Sequence, residues 1–455
     1  MAEQKQTLQR SLGLLQSTSL NMIYMVGIGP FVVLPIVIGM IGNQFLIAWI
    51  AGAVLSFIDA MIWSELGTAY PLAGGSYNFL KEAYGKDNMG RMMSFLYVWQ
   101  TIIQAPLVIA SAAIGFSQYL GYLIPLNSWE HKAASGSSII LITILLYRKI
   151  DSIGKIGVLL WGGVLLTLGW IIFGGVAHGN FLQPLKEITT SFNPGYILSF
   201  AFGNACVKTI YSYLGYYNVC NLGGEIINPG KNIPRSMFIS IIGISILYLA
   251  MNTSVTSVIS WQEIKQWHDA DKDMFVISEF FKRLYGSAAA NTATVLILWV
   301  TLASLFAALL GYSRIPYAAA IDGIFFKVFG KLHPTKEFPY VSLLVIAAIA
   351  FIFSLLLKMK EVIDGILAMR IIVQFIGQAI GVVLLRKKRG TAHLPYKMPL
   401  YPLPIILAIA IWLFIFCSID NKVIVSFIIV FCSGLTVYFV YANFQKQWPF
   451  EKKRI

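Results

Sequence analysis

Apolar runs of about 20 residues recur along nearly the whole chain of 455 residues, and each is long enough to cross a hydrocarbon core of about 30 Å as a helix. They fall near 18–41, 44–68, 92–122, 136–150, 156–178, 196–224, 236–260, 289–319, 339–357, 361–386, 401–419 and 422–444, the fourth being the shortest. Composition agrees: 57% of residues are hydrophobic, 12% are charged and the mean hydropathy is +0.73, which leaves no segment over for a soluble domain. The expected fold is all-α and polytopic, with about twelve transmembrane helices.

The net charge of +14 suggests nucleic acid only until it is assigned to sides of the membrane. Roughly two thirds of the 34 Lys and Arg lie on the side of the N-terminus, which places both termini in the cytoplasm and removes any reason to invoke nucleic acid. Arg386, Lys387, Lys388 and Arg389 close the tenth span, where anionic headgroups meet it. Glu3, Lys5 and Arg10 precede the first run without a small-residue cleavage site, so the first span is retained. Such a chain belongs in the plasma membrane, the inner membrane in a bacterium, where the lipid bilayer is its constant partner.

Enzyme chemistry finds no support. His131, His178, His268, His333 and His393 are scattered outside the spans, so no catalytic residue, metal ligand or cofactor is assigned. Cys206, Cys220, Cys417 and Cys432 fall inside spans without metal-ligand spacing, which predicts neither disulfides nor zinc. No phosphate-binding loop appears, so an ion gradient or substrate exchange, rather than ATP, powers any transport by this chain alone.

Two spans are interrupted. The first reads Tyr24-Met25-Val26-Gly27-Ile28-Gly29-Pro30-Phe31 and the sixth Tyr211-Ser212-Tyr213-Leu214-Gly215-Tyr216-Tyr217-Asn218. Glycine weakens a helix and proline removes a donor, and unwound backbone at that depth persists only where it lines a cavity. Taken singly, each break also fits an ordinary kink or close helix packing. First and sixth, however, are corresponding positions if spans 1–5 and 6–10 form two repeats of inverted topology, and that pairing points to a site at the bilayer midplane. Half-helix N-termini offer N–H groups to an anion and half-helix C-termini offer carbonyls to a cation, so a zwitterion suits both.

The breaks and three further motifs resemble the amino acid, polyamine and organocation (APC) superfamily over essentially the entire chain. Gly27-Ile28-Gly29-Pro30-Phe31 is similar to the family's Gly-Ser-Gly-Ile-Phe stretch, departing from it at Ile28 and Pro30. Ser64 to Tyr77, with Glu65-Leu66-Gly67, Pro71 and Gly74-Gly75-Ser76-Tyr77, resembles the segment leaving span two and is the most specific match. Glu225 to Arg235 resembles the Glu-x-x-Asn-Pro-x-x-Asn-x-Pro exit from span six, and Tyr312 to Tyr317 with Asp322-Gly323 and His333-Pro334 the segment leaving span eight. The resemblance implies a five-plus-five inverted repeat with discontinuous helices 1 and 6. Residues 1–17 are then a cytoplasmic segment, 18–386 the core of two inverted five-helix repeats, 401–444 two additional helices and 445–455 a cytoplasmic tail.

By the same resemblance the chain is a secondary transporter of amino acids working by alternating access, neutral amino acids favoured. A polyamine or other organic-amine transporter or exchanger is the alternative, and an uncoupled channel or sensor a further one. The N–H groups of Gly27, Ile28 and Gly29 are expected to take the carboxylate, and carbonyls near Tyr24 and from Tyr211 through Ser212 to Leu214, beside the Gly215 break, the amine. Tyr211 either closes the site toward the outside or packs as an ordinary aromatic, and Leu214 narrows the cavity in favour of small to medium apolar side chains.

Lys208 either faces the site, repelling cationic cargo with Asp59 as its partner, or snorkels outward. Arg370 either joins an external gate with an acidic residue or caps carbonyls. Glu65 and Glu225 are expected to pair with Arg or Lys in an inner gate, or to anchor at the interface. Thr301 and Ser304 share a face of span eight as hydroxyl ligands for sodium or as packing groups. Val164 stands where many proton-coupled relatives carry a span-five lysine, leaving proton and sodium coupling both open, as is the oligomeric state. Trp261 to Arg283 is expected to form an external lid containing amphipathic helix.

Overall fold

The computed structural model describes residues 8–191, 194–197, 199–270, 275–392 and 394–450. Glu3, Lys5, His393 and the last five residues of the tail lie outside them. In chain order the helices are α1 (Leu14–Val26), α2 (Gly29–Ile41), α3 (Phe45–Ala69), α4 (Ser76–Tyr84), α5 (Met89–Leu123), α6 (Ser128–Leu146) and α7 (Ile150–His178). They continue with α8 (Gln183–Ser191), α9 (Phe200–Tyr213), α10 (Asn218–Asn221), α11 (Pro229–Val258), α12 (Trp261–Asp269), α13 (Val276–Tyr285) and α14 (Ser287–Tyr312). The remainder are α15 (Arg314–Ile321), α16 (Tyr340–Leu356), α17 (Met359–Arg370), α18 (Gly377–Arg389), α19 (Leu403–Cys417) and α20 (Asn421–Phe444). The only β pairing among the described residues is two isolated bridges, Leu12 with Ile226 and Ala73 with Leu222.

This is an all-α polytopic membrane protein, and the long apolar helices fall where hydropathy places them. Two boundaries differ. The fourth span is not short: α6 starts at Ser128, because Asn127 accepts the amides of Trp129 and Glu130 while the Glu130 carboxylate accepts the Asn127 amide. Its polar first turns, through Glu130, His131 and Lys132, hide it from a hydropathy reading. The chain then leaves the helix at Tyr147 and re-enters at Ile150, so α7 takes residue 150, which hydropathy gave to the fourth span, and residues 151–155, which it gave to a loop. The earlier start of the fourth span puts His131 within α6, and His178 is the last residue of α7, at the end hydropathy gave that span.

The first span divides into α1 and α2 and the sixth into α9 and α10. The tenth carries a π-helical stretch, Ile371–Ile376, between α17 and α18. The lid between spans seven and eight consists of α12 and α13, tied to each other by Arg283 and Glu263 and to the end of the first span by Lys265 Nζ donating to the Gly39 carbonyl at 2.9 Å. The hydrogen bond from Arg283 holds the Glu263 carboxyl below its ordinary pKa.

Candidate functional site

The two breaks meet. Gly215 has φ +126, a conformation that L side chains rarely adopt, and a Cβ there would stand 2.9 Å from Tyr24 Cγ and 3.0 Å from the Met25 amide nitrogen. Gly29 faces α9 equally closely: a Cβ would lie 3.1 Å from Ser212 Oγ and 3.3 Å from Ser212 Cα. Small residues at both positions let the unwound stretches cross at backbone distance. Asn21 fastens the arrangement by accepting the Val219 amide at 2.9 Å, which links α1 to α10.

Between the breaks lies a narrow cavity of about 30 Å³. Its walls are Tyr24, Met25, Gly27, Ile28 and Gly29 from the first break, Tyr211 and Leu214 from the sixth, Val108, Ser111 and Ala112 from α5, and Ser304 from α14. The leading amides of α2 have no carbonyl one turn back to receive them, and Pro30 has no amide, so Ile28 and Gly29 present donors as a helix N-terminus does. On the opposite side stand the carbonyl ends of α1 and α9.

Not every carbonyl there is free. Tyr248, on α11, places its hydroxyl 2.7 Å from the Met25 carbonyl and 3.0 Å from the Ser212 carbonyl, clamping the two half-helix ends together. Ser212 and Gly215 therefore pack the crossing and do not border the cavity. Sequence reasoning missed Tyr248 because nothing in an apolar span marks a tyrosine that points at another span's backbone.

The cavity has a roof and a floor. The Tyr211 and Ser111 hydroxyls are 2.9 Å apart and bridge α9 to α5 on the side preceding the break. Below, the Tyr24 hydroxyl donates to that of Tyr312 at 2.6 Å, with the rings near perpendicular and their centroids 6.0 Å apart. Losing the roof bond by Tyr211→Phe or by Ser111→Ala should change cargo affinity by the same few-fold factor, about 0.5–1.5 kcal/mol, and the double variant should add nothing more. Equilibrium binding on the four proteins checks this.

Beyond the floor the path is closed in layers. Glu225 and Arg314, each 1% exposed, form a two-pronged ion pair at 2.8 and 3.2 Å, and Arg314 also donates to Ser313 Oγ at 2.9 Å. The Glu225 carbonyl accepts the amides of Ser11 and Leu12 at 3.0 and 2.9 Å, drawing the N-terminal segment across the bundle. Glu65 pairs with Arg386, Nε to Oε1 at 2.7 Å, and accepts the Met398 amide at 2.8 Å.

The other charged candidates lie away from the cavity wall. Lys208 is buried on α9 but does not border the cavity, and Asp59 is not seen paired with it; the Asp59 carboxylate accepts Trp63 Nε1 at 2.8 Å and the Tyr216 hydroxyl. Trp63 reaches it from one turn along α3, and Tyr216 from the unwound stretch, whose direction no helical periodicity gives. Arg370 lies over the rings of Tyr217 and Tyr312 at 5.3 and 5.4 Å. Thr301 donates to the Ile297 carbonyl of its own helix at 2.8 Å, whereas Ser304 donates to the Tyr24 carbonyl at 3.4 Å and so reaches the first break. Among the described residues no cluster of His, Cys, Asp or Glu has the makings of a metal site.

Comparison with known proteins agrees with this architecture. The model of the amino acid permease family matches residues 12–443, and the chain belongs to that family. It is similar to the Serine/threonine exchanger SteT of Bacillus subtilis (strain 168), 26% identical over 95% of this chain and 97% of the relative. The Branched-chain amino acid permease BcaP of the same organism is 23% identical over 96% and 94%, and the Asc-type amino acid transporter 1 of Mus musculus 24% identical over 96% and 82%. The protein is a multi-pass membrane transporter of amino acids and not an enzyme.

Proposed function

We propose that the protein carries neutral amino acids with small to medium side chains across the plasma membrane by alternating access. The observation that carries the specificity is that no charged side chain among the described residues borders the cavity. A cationic or acidic side chain would be desolvated there without a partner, whereas Val108, Ala112 and Leu214 offer apolar surface. The amides of Gly27, Ile28 and Gly29 hold the α-carboxylate, and the carbonyls left free at the ends of α1 and α9 hold the ammonium group. Relatives described as a serine/threonine exchanger and a branched-chain permease fit this size range. A polyamine has no carboxylate for the donor side of the site, and among the described residues no carboxylate lines the cavity to meet its charges.

In this reading spans 1–5 and 6–10 form the two inverted repeats, and α19 and α20 are the additional pair. Tyr211 with Ser111 closes the outer side, and Glu225–Arg314 and Glu65–Arg386 close the cytoplasmic side. Ser304, with Thr301 behind it, is the place for a coupling sodium ion beside the first break, and Asp59 is the group to carry a coupling proton. Substituting choline for sodium and separately collapsing the proton gradient distinguish the two. The test of function is uptake into proteoliposomes of labelled serine, leucine, arginine, glutamate and spermidine. Serine and leucine are expected to accumulate against their gradients; spermidine or arginine alone would overturn the reading, and equilibration without accumulation would favour a channel.

A further inference from the structure

Arg370 stands out as a buried charge for which no counter-charge is seen among the described residues. It is 2% exposed at mid-depth in the tenth span, directly before the π-helical stretch, and among the described residues its Nε and Nη1 find no hydrogen-bond partner. The tyrosine rings beside it supply electron-rich faces but no acceptor in the guanidinium plane. The Tyr217 hydroxyl, on one of those rings, is also buried and makes no hydrogen bond of good geometry among the described residues, the Tyr24 hydroxyl being the polar group beside it. Three donors are thus gathered where lipid and protein exclude water. An unpaired charge in such a place is strongly unfavourable, and a planar guanidinium fits a carboxylate with two parallel bonds.

The Tyr24–Tyr312 floor separates these donors from the cavity. Tyr24 lines the cavity with one part of its side chain and meets Tyr312 with its hydroxyl, and Tyr312 carries Arg370 on its ring. Cargo leaving toward the Glu225–Arg314 side must part this contact and then meets Arg370 first. We propose that Arg370, with the Tyr217 hydroxyl, is a second carboxylate-binding station on the cytoplasmic side of the cavity, which receives the α-carboxylate of the cargo from the amides of the first break. The station rests on the functional reading above and adds to it an asymmetry: the inner face recognises the carboxylate with a charged side chain, the outer face with backbone.

The test compares serine and leucine transport in right-side-out and inside-out membrane vesicles for the wild type, Arg370→Gln and Arg370→Lys, with the amount of folded protein set by gel filtration. The station predicts that Arg370→Gln raises KM from the cytoplasmic face about tenfold or more, and from the outer face by much less, with Arg370→Lys between. L-serinamide, which lacks the carboxylate, should compete at the cytoplasmic face equally well in wild type and Arg370→Gln. Equal changes at both faces, or none, would overturn the station, as would a wild-type chloride dependence that Arg370→Gln abolishes, since the anion would then be inorganic. Restoration of Arg370→Gln by a second change, Asp59→Asn, would overturn it too, by making Asp59 the internal counter-charge. Failure of the wild type to move either amino acid would sink the functional reading itself, whereas normal wild-type transport without a face-dependent effect rejects only the station.

Discussion

Gly29→Leu is expected to reduce amino-acid uptake to the level of protein-free vesicles while the protein still inserts and purifies. Even the first carbon of a side chain at this position would stand 3.1 Å from Ser212 Oγ and 3.3 Å from both Ser212 Cα and a ring carbon of Tyr211. The Ser212 hydroxyl can turn away, but the Ser212 backbone cannot, because its carbonyl is held by Tyr248. The rest of a leucine must therefore enter the cavity, over the amides assigned to the carboxylate, or force the two breaks apart. The effect falls on binding more than on insertion, since the apolar character of the span is kept. Radiolabel uptake together with gel filtration checks both halves, and wild-type uptake by a well-inserted variant would count against the site.

Arg314→Met should lower stability by about 3–5 kcal/mol, the largest loss expected of any single change at the closed end of the bundle. It leaves Glu225, 1% exposed, without its guanidinium, and Glu225 is also the residue whose carbonyl holds the N-terminal segment at Ser11 and Leu12. Replacing both partners, Arg314→Met with Glu225→Leu, removes the orphaned charge, so most of the lost thermal stability should return. Transport should not return with it, if this pair must open and close in each cycle. Melting temperatures in detergent and uptake on the same three proteins separate the two effects; an unaltered melting temperature in Arg314→Met would mean that the pair contributes nothing to the closed end.

The bundle and the broken spans were legible because both follow from one-dimensional rules. Apolar length gives the crossings, and the glycines and proline at Gly27, Gly29, Pro30 and Gly215 mark where helix gives way. Depth is also readable: Glu65 and Glu225 stand at span ends and each is paired with an arginine. Azimuth is not. Lys208 and Asp59 have suitable depth for each other, yet Asp59 faces Trp63 and Tyr216, whose position depends on how the chain turns after Gly215. Ser111 forms the roof of the cavity but reads in the sequence as one of many small hydroxyls of a packed helix, whereas Ser304 is marked by sharing a face with Thr301. Span four shows the converse, since a capping box recovers a helix start that hydropathy alone puts eight residues too late.

Binding of a neutral zwitterion between the two breaks is the premise of the proposed transport. Thermal stabilisation of the detergent-purified protein across the twenty amino acids and several polyamines tests it most directly, because a ligand that binds only the native state raises its apparent stability. Neutral amino acids of small to medium size are predicted to raise the melting temperature of the wild type and to leave that of Gly29→Leu unchanged. Stabilisation by polyamines alone, or stabilisation by neutral amino acids that persists undiminished in Gly29→Leu, would contradict the claim.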